Sequence, residues 1–247
     1  MWKVATQILG SLQAVVCYAP EKPATHLVVL CHGFGAPGDD LVGLADLIAE
    51  RSDRLAISPL LIFPQAPIDL ADEGMPGGRA WWRLNMTQLL MMAESGGFDE
   101  LRDQQPPGME SARAALEELV TLARQSYGLE DTPLILAGFS QGAMLSVDLA
   151  LRGAIEPPQG LVIYSGALLC ESAWRQASGR LAGTRVFQSH GTQDMILPIE
   201  TGRWLHELIQ EKAIEAHWFS FTGPHTIPMQ GIDGMMELLV AIGTEKA

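Results

Sequence analysis

The run Leu134-Ile-Leu-Ala-Gly138-Phe139-Ser140-Gln141-Gly142 is apolar, ends in the pattern G-x-S-x-G, and continues into a helix-period segment. A serine on such a strand-to-helix turn sits in a strained backbone and points its hydroxyl out of the sheet edge. The geometry is tolerated because the residues two before and two after it lack side chains. Ser140 is therefore the candidate nucleophile for attack on an acyl carbonyl. The bland alternative, a tight turn with a buried serine, is real in a chain with 25 glycines. The buried strand before Ser140 and the helix after it weigh for chemistry.

A hydroxyl needs a base to take its proton, and the base needs an acid to orient it. After a serine elbow these follow in the order acid, then histidine, each on a loop past a later strand. Asp194 lies in His190-Gly-Thr-Gln-Asp194, past the strand Val186–Ser189, and His225 lies in Gly223-Pro-His225-Thr226, past the strand His217–Phe221. His190 is the rival base, but it precedes Asp194 by only four residues and better suits a partner that fixes the Asp194 loop. Glu200 is the rival acid, yet it stands at a helix start, where a negative charge is favourable anyway. His26 and His217 begin strands and His206 sits in a helix, so these three read as structural.

Acyl transfer also needs donors aimed at the developing oxyanion. The N–H of Gln141 comes with the elbow. A second belongs on a loop after an early strand, and Cys31-His32-Gly33-Phe34-Gly35 supplies it, with the Phe34 N–H best placed. The alternative for His32-Gly33 is a turn that merely ends a strand. Gly33-Phe-Gly35-Ala-Pro-Gly38 also satisfies G-x-G-x-x-G, but Asp39 and Asp40 sit where a pyrophosphate would bind and would repel it. No dinucleotide site is expected, and no spacing of Cys and His suggests a metal.

The elements that must position these groups are legible as apolar runs. Strands are expected at Gln13–Tyr18, Leu27–Cys31, Ser58–Phe63, Leu134–Phe139, Leu161–Tyr164, Val186–Ser189 and His217–Phe221, several nearly continuous, as strands buried on both faces require. Helices are expected at Asp40–Arg51, Glu110–Tyr127, Gln141–Arg152, Thr201–Ala213 and Ile232–Ile242. Alternation of the two gives an α/β class with a mostly parallel sheet, in one domain over residues 1–247. The interval from about 66 to 107 breaks the rhythm and reads as a lid or pocket insertion.

Of the 247 residues 47% are hydrophobic and 18% charged, and Gly and Pro follow no period, which excludes disorder and fibrous repeats. The net charge of −13 and the lack of a basic run argue against nucleic acid. The uncharged stretch Val4–Pro20 is too polar to span a membrane, and a single Lys makes a thin secretory leader. Three cysteines in mainly apolar surroundings suit a reducing, cytoplasmic compartment. Monomer and homodimer both remain open.

The chain resembles the phospholipase/carboxylesterase group of α/β-hydrolases, which includes the acyl-protein thioesterases and small bacterial carboxylesterases. The likeness rests on HGFGAPGDDLVGLA (His32–Ala45), FPQAP (Phe63–Pro67), GGRAWW (Gly77–Trp82), GFSQGA (Gly138–Ala143), SGALL (Ser165–Leu169), HGTQDMILP (His190–Pro198) and His225. These blocks run in order over almost the whole chain. The resemblance implies an α/β-hydrolase fold, a mostly parallel central sheet of about seven strands with helices on both faces. It implies a triad of Ser140, Asp194 and His225, backbone oxyanion donors at Phe34 and Gln141, ester, thioester or lysophospholipid substrates, and no cofactor. A peptidase or amidase using the same triad, a non-catalytic binding protein on this fold and a Rossmann oxidoreductase are the competing readings.

The chain departs from the family after Trp82. Arg83–Pro107 is longer and richer in Met and Leu than the usual loop. Those side chains either line an acyl groove or form a short helix, Thr87–Ala93, packed on the core. Trp82, Met86, Leu168, Ile196 and Leu197 are the expected pocket residues.

Overall fold

His26–Cys31 (β3) is buried at all six residues, and its successive side chains feed opposite faces of a sheet. Leu27, Val29 and Cys31 join one hydrophobic core, Val28 and Leu30 the other, as the two-residue period of a strand requires. A strand apolar on both faces must lie inside a sheet covered twice. The computed structural model, which describes residues 2–85, 91, 97–100 and 102–244, shows that arrangement.

The strands are β1 (Lys3–Leu9), β2 (Leu12–Tyr18), β3, β4 (Pro59–Pro64), a small ribbon of β5 (Ile68–Asp69) and β6 (Arg79–Ala80), β7 (Leu134–Phe139), β8 (Gly160–Tyr164), β9 (Arg185–Gly191) and β10 (Glu215–Phe221). Among the described residues the main sheet has eight strands in the order β1-β2-β4-β3-β7-β8-β9-β10. β1, β2 and β4 pair antiparallel, and every pairing from β4 to β10 is parallel. All seven expected strands are present. The eighth, β1, forms a hairpin with β2 around Gly10, whose φ of 63° lies in the region that glycine enters freely.

The helices are α1 (Leu44–Leu55), α2 (Met109–Tyr127), α3 (Gln141–Arg152), α4 (Glu171–Ala177), α5 (Ile199–Gln210) and α6 (Met229–Thr244). α1 and α6 cover one face through Ala45, Ile48, Ile232, Met235 and Leu239. α2, α3, α4 and α5 cover the other, where Leu116, Leu145, Trp174 and Leu205 are fully buried. Burying each such side chain stabilises the fold by about 1.5–3 kcal/mol relative to leaving it in water. The helix expected at Asp40–Arg51 is split. Asp40–Gly43 is a 3₁₀ turn, and α1 starts only at Leu44 and runs on to Leu55. α4 falls in a stretch with no expected element. No helix among the described residues is long and apolar enough to cross a membrane.

Within the 66–107 interval, Arg79 pins the ribbon by donating from Nε to Ala66 O at 2.6 Å and from Nη2 to Pro67 O at 3.2 Å. Gly97–Glu100 is a short 3₁₀ helix, and Phe98 beneath it is buried. Met86 and most of the expected helix Thr87–Ala93 lie outside the described residues.

Candidate active site

Parallel strands end on the same side of the sheet, so the loops after β3, β7, β9 and β10 meet there. The register makes the meeting specific. Cys31 pairs with Gly138, which sets the Gly33–Phe34 loop beside Ser140. Gly191 pairs with Phe221, which sets the Asp194 loop beside the His225 loop. Thr192 N–H then donates to Phe221 O at 2.8 Å, and Gln193 N–H to Gly223 O at 3.0 Å.

Ser140 has φ 54° and ψ −119°, a left-handed backbone that costs a non-glycine residue energy. The elbow is held by Ser140 N–H donating to Tyr164 O at 2.9 Å. Its two glycines are a steric requirement. A Cβ on Gly138 would lie 2.4 Å from the Gly142 backbone, and one on Gly142 would lie 2.2 Å from Cys31 O. The next side chain, Gln141, is fully buried; its Oε1 accepts from Trp81 N–H at 2.9 Å and its Nε2 donates to Trp82 O at 2.8 Å. As the first residue of α3, Gln141 leaves its own N–H without an intrahelical acceptor.

His225 Nδ1 lies 2.6 Å from Asp194 Oδ2, so its Nδ1–H donates to the carboxylate and, in the neutral ring, Nε2 carries no proton. The other oxygen, Asp194 Oδ1, accepts from Ile196 N–H at 2.9 Å and Leu197 N–H at 2.8 Å. Burial pushes this carboxyl up, but hydrogen bonds from His190 and His225 more than offset it and hold it well below the usual range. His190 Nε2 faces both Leu197 O at 2.8 Å and Asp194 Oδ2 at 3.4 Å, so it clamps the acid loop. Glu200 sits in the first turn of α5 with Arg203 at 3.9 Å. His217 stacks on Phe187 with ring centres 5.7 Å apart, His206 tilts against Trp218 at 5.4 Å, and His26 meets Thr25 Oγ1 at 2.8 Å.

The loop carrying Phe34 is braced on both sides. Gly35 N–H donates to Arg79 O at 2.8 Å, and Arg79 N–H to Ala36 O at 3.0 Å. His32 beneath it is buried; its Nδ1–H donates to Gly33 O at 2.8 Å while its Nε2 accepts from Ala66 N–H at 3.1 Å. That pairing fixes one neutral tautomer, and burial lowers the pKa of this imidazole. The G-x-G-x-x-G run thus serves as a wall of the cavity, and Gly38 packs against Gln65.

Ser140, His225, Gly33, Phe34 and Phe139 line one side of a cavity of about 350 Å³, a size within the range of small-molecule sites. Trp82, Leu168, Ile196 and Leu197 line it as expected from the sequence. Leu84, from the Arg83–Pro107 stretch, lines it as well, as do Phe98, Met144 and Trp204, which sequence reasoning missed. Phe98 and Trp204 come from distant elements, and nothing in their local pattern distinguishes them from core residues. Among the described residues, His, Cys, Asp and Glu form no group of three or more that could hold a metal ion.

The sequence model of the family described as Phospholipase/Carboxylesterase matches residues 12–241. Acyl-protein thioesterase 1 of Eremothecium gossypii is 27% identical over 189 residues, which span 76% of this chain and 74% of that protein. The same-named protein of Kluyveromyces lactis is 28% identical over 201 residues, spanning 77% and 79%. Among solved structures, a carboxylesterase from Mesorhizobium loti superposes with a TM-score of 0.71 at 17% identity, covering 96% of this chain and 98% of that one. Zea mays acyl-protein thioesterase 2 gives a TM-score of 0.66 at 19% identity, covering 93% and 98%. Likenesses at that identity carry the fold alone, and with the family model they give that of the α/β-hydrolases.

Proposed function

The chain belongs to the phospholipase/carboxylesterase family and is a hydrolase, and from that premise we propose that it cleaves carboxylic esters and thioesters through an acyl-enzyme on Ser140. The observation that carries the reading is the 2.6 Å contact between His225 Nδ1 and Asp194 Oδ2, with His225 and Ser140 on the wall of one cavity. The Asp194 carboxylate keeps the proton on Nδ1, and Nε2 is then free to act as the base.

In this mechanism Ser140 Oγ attacks the acyl carbonyl carbon while His225 Nε2 takes the hydroxyl proton. The carbonyl π pair moves onto oxygen, and the N–H groups of Phe34 and Gln141 receive the oxyanion. The tetrahedral centre collapses, the bond to the leaving oxygen or sulfur breaks, and His225 hands that atom its proton. Water, deprotonated by His225, repeats the sequence on the acyl-enzyme and frees the acid. Thioesters enter because relatives named acyl-protein thioesterase match most of this chain, and a thioester carbonyl meets the same nucleophile and donors. One hydrolase domain spans the chain in this reading, and the 66–107 insertion shapes its pocket.

Ser140→Ala tests the assignment. It is expected to lower kcat on p-nitrophenyl esters by about six orders of magnitude and to abolish covalent labelling by a fluorophosphonate. Activity within tenfold of the parent would sink it.

A further inference from the structure

The wall formed by Trp204 is built in a way that ordinary core packing does not demand. Trp204 is half-buried on α5, one turn after Thr201, which also lines the cavity. Thr201 O accepts from Leu168 N–H at 3.1 Å, so α5 and the loop after β8 form one continuous surface. Behind the indole, Arg102 places its guanidinium 4.7 Å from the ring centre. That guanidinium is gripped in turn. Arg102 Nη2 donates to Glu171 Oε1 at 2.9 Å, Nε lies 2.6 Å from Glu171 Oε2, and Nη1 lies 3.4 Å from Asp99 Oδ1. Glu171 also receives Arg175 Nη2 at 3.0 Å, and its own N–H donates to Arg102 O at 3.0 Å.

A forked cation held flat by a carboxylate and laid on an aromatic face is a rigid backing for that face. The apolar remainder of the wall, Phe98, Leu84, Leu168, Leu169 and Met144, suits a hydrocarbon chain.

We propose that Trp204, strapped in place by Arg102 and Glu171, limits the length of the acyl chain this enzyme accepts. The inference rests on the serine-hydrolase reading above. Trp204 acts by contact with the chain, whereas Arg102 and Glu171 act through Trp204 and are positioning residues.

The test is a chain-length profile of p-nitrophenyl esters from acetyl to palmitoyl, with the leaving group constant, for the parent, Trp204→Ala, Trp204→Phe, Arg102→Leu and Ser140→Ala. In the parent, kcat/KM is expected to climb by up to about fourfold per methylene, pass through a maximum and fall beyond it. Trp204→Ala is expected to raise the ratio of myristoyl to decanoyl turnover about tenfold or more, the worth of two methylenes. Arg102→Leu, which changes nothing on the cavity wall, is expected to shift the ratio the same way by at least about threefold. Melting curves establish that each variant is folded, and Trp204→Phe and Arg102→Leu carry the test should Trp204→Ala not be.

Profiles within twofold of the parent at every chain length, or a parent profile that falls steadily from acetyl, overturn the assignment while leaving the hydrolase reading intact. Absence of Ser140-dependent turnover on every ester overturns the hydrolase reading instead.

Discussion

Gly142→Ala separates elbow geometry from side-chain chemistry, because it leaves the side chains of Ser140, Asp194 and His225 chemically unchanged. The new Cβ would lie 2.2 Å from Cys31 O and 2.5 Å from both Cys31 C and His32 O. All three are backbone atoms of β3 and the loop that follows it, so no flexible side chain can move aside. Restoring ordinary contact near 3.5 Å requires α3 and β3 to part by about 1 Å. Overpacking of this kind costs about 1–3 kcal/mol, and in a chain of this length each kcal/mol lowers the melting temperature by about 2–4 °C. The same movement carries Ser140 and the Gln141 N–H away from the Phe34 N–H, and a misplacement of about 1 Å costs about 10² in rate.

The assay pairs kcat on p-nitrophenyl butyrate with a thermal melt. Gly43→Ala is the control, since no atom lies within 4 Å of its Cβ and its φ of −59° suits any residue. It is expected to leave kcat unchanged and to stabilise slightly, by about 0.4–1 kcal/mol. Gly142→Ala with kcat within threefold of the parent and an unchanged melt would refute the claim that close approach of α3 to β3 builds the site.

Three further outcomes follow from the same geometry. Asp194→Asn is expected to lower kcat by about 10⁴ with little change in KM; a loss under tenfold would mean that the carboxylate does not set the tautomer of His225. Asp148, fully buried on α3, accepts from Arg113 Nη1 at 2.7 Å, Arg152 Nη1 at 3.2 Å and Trp174 Nε1 at 2.8 Å, so Asp148→Ala strands two cations and is expected to destabilise by about 3–5 kcal/mol in urea unfolding. A cost below about 1 kcal/mol would show the cluster to be solvated. Burial pushes the thiols of Cys17, Cys31 and Cys170 up to about 11, 12 and 11, so none is expected to react with a thiol reagent at pH 8 until the chain is unfolded; labelling of the native protein within minutes would contradict their placement in the core.

The residues proposed for the site are easier to read from the sequence than the cavity around them. Ser140, Asp194 and His225 each follow an apolar run of strand length, and that spacing alone carries them to one sheet edge. β1 is harder to read, because the two runs flanking Gly10-Ser11, a hairpin pattern, lie within one uncharged stretch from Val4 to Pro20 that also has the look of a span or leader. α4 is seven residues long, too short to display a helical period. α1 starts at Leu44 rather than Asp40 because Asp40–Gly43 is taken up by a 3₁₀ turn whose N-cap residue, Asp39, makes no side-chain capping hydrogen bond. Trp204 and Phe98 were invisible as pocket residues for a deeper reason. A wall built from α5, Gly97–Glu100 and the loop after β8 exists only once the sheet has brought them together, and periodicity reports which face is apolar, not what space it encloses.

The buried His32 gives the fold an acid sensitivity whose sign can be worked out. Its Nδ1–H donates to Gly33 O and its Nε2 accepts from Ala66 N–H, so protonating Nε2 would set two N–H groups against each other in a site without water access. Burial is the main cause of its lowered pKa, ahead of the hydrogen bond to Gly33, which works the other way. A folded-state pKa below the unfolded value of about 6.5 means that the unfolded chain binds more protons as pH falls. The stability His32 contributes is therefore complete above about pH 6.5 and is lost as pH drops from there toward the folded value, by at most about 1.4 kcal/mol per pH unit. His206, lowered by burial and then by repulsion from His217, adds in the same direction. Asp194 acts in a separate window, because its depressed carboxyl contributes stability above about pH 4 and surrenders it only as pH falls further. Urea unfolding at pH 7 and pH 5 is expected to show the parent losing stability, by no more than about 1.4 kcal/mol per pH unit for each such histidine, and His32→Gln, though less stable at pH 7, losing visibly less over the same interval. An equal loss in the two proteins would mean that His32 is not the group the acid finds, and that the loop beneath Phe34 opens before its histidine titrates.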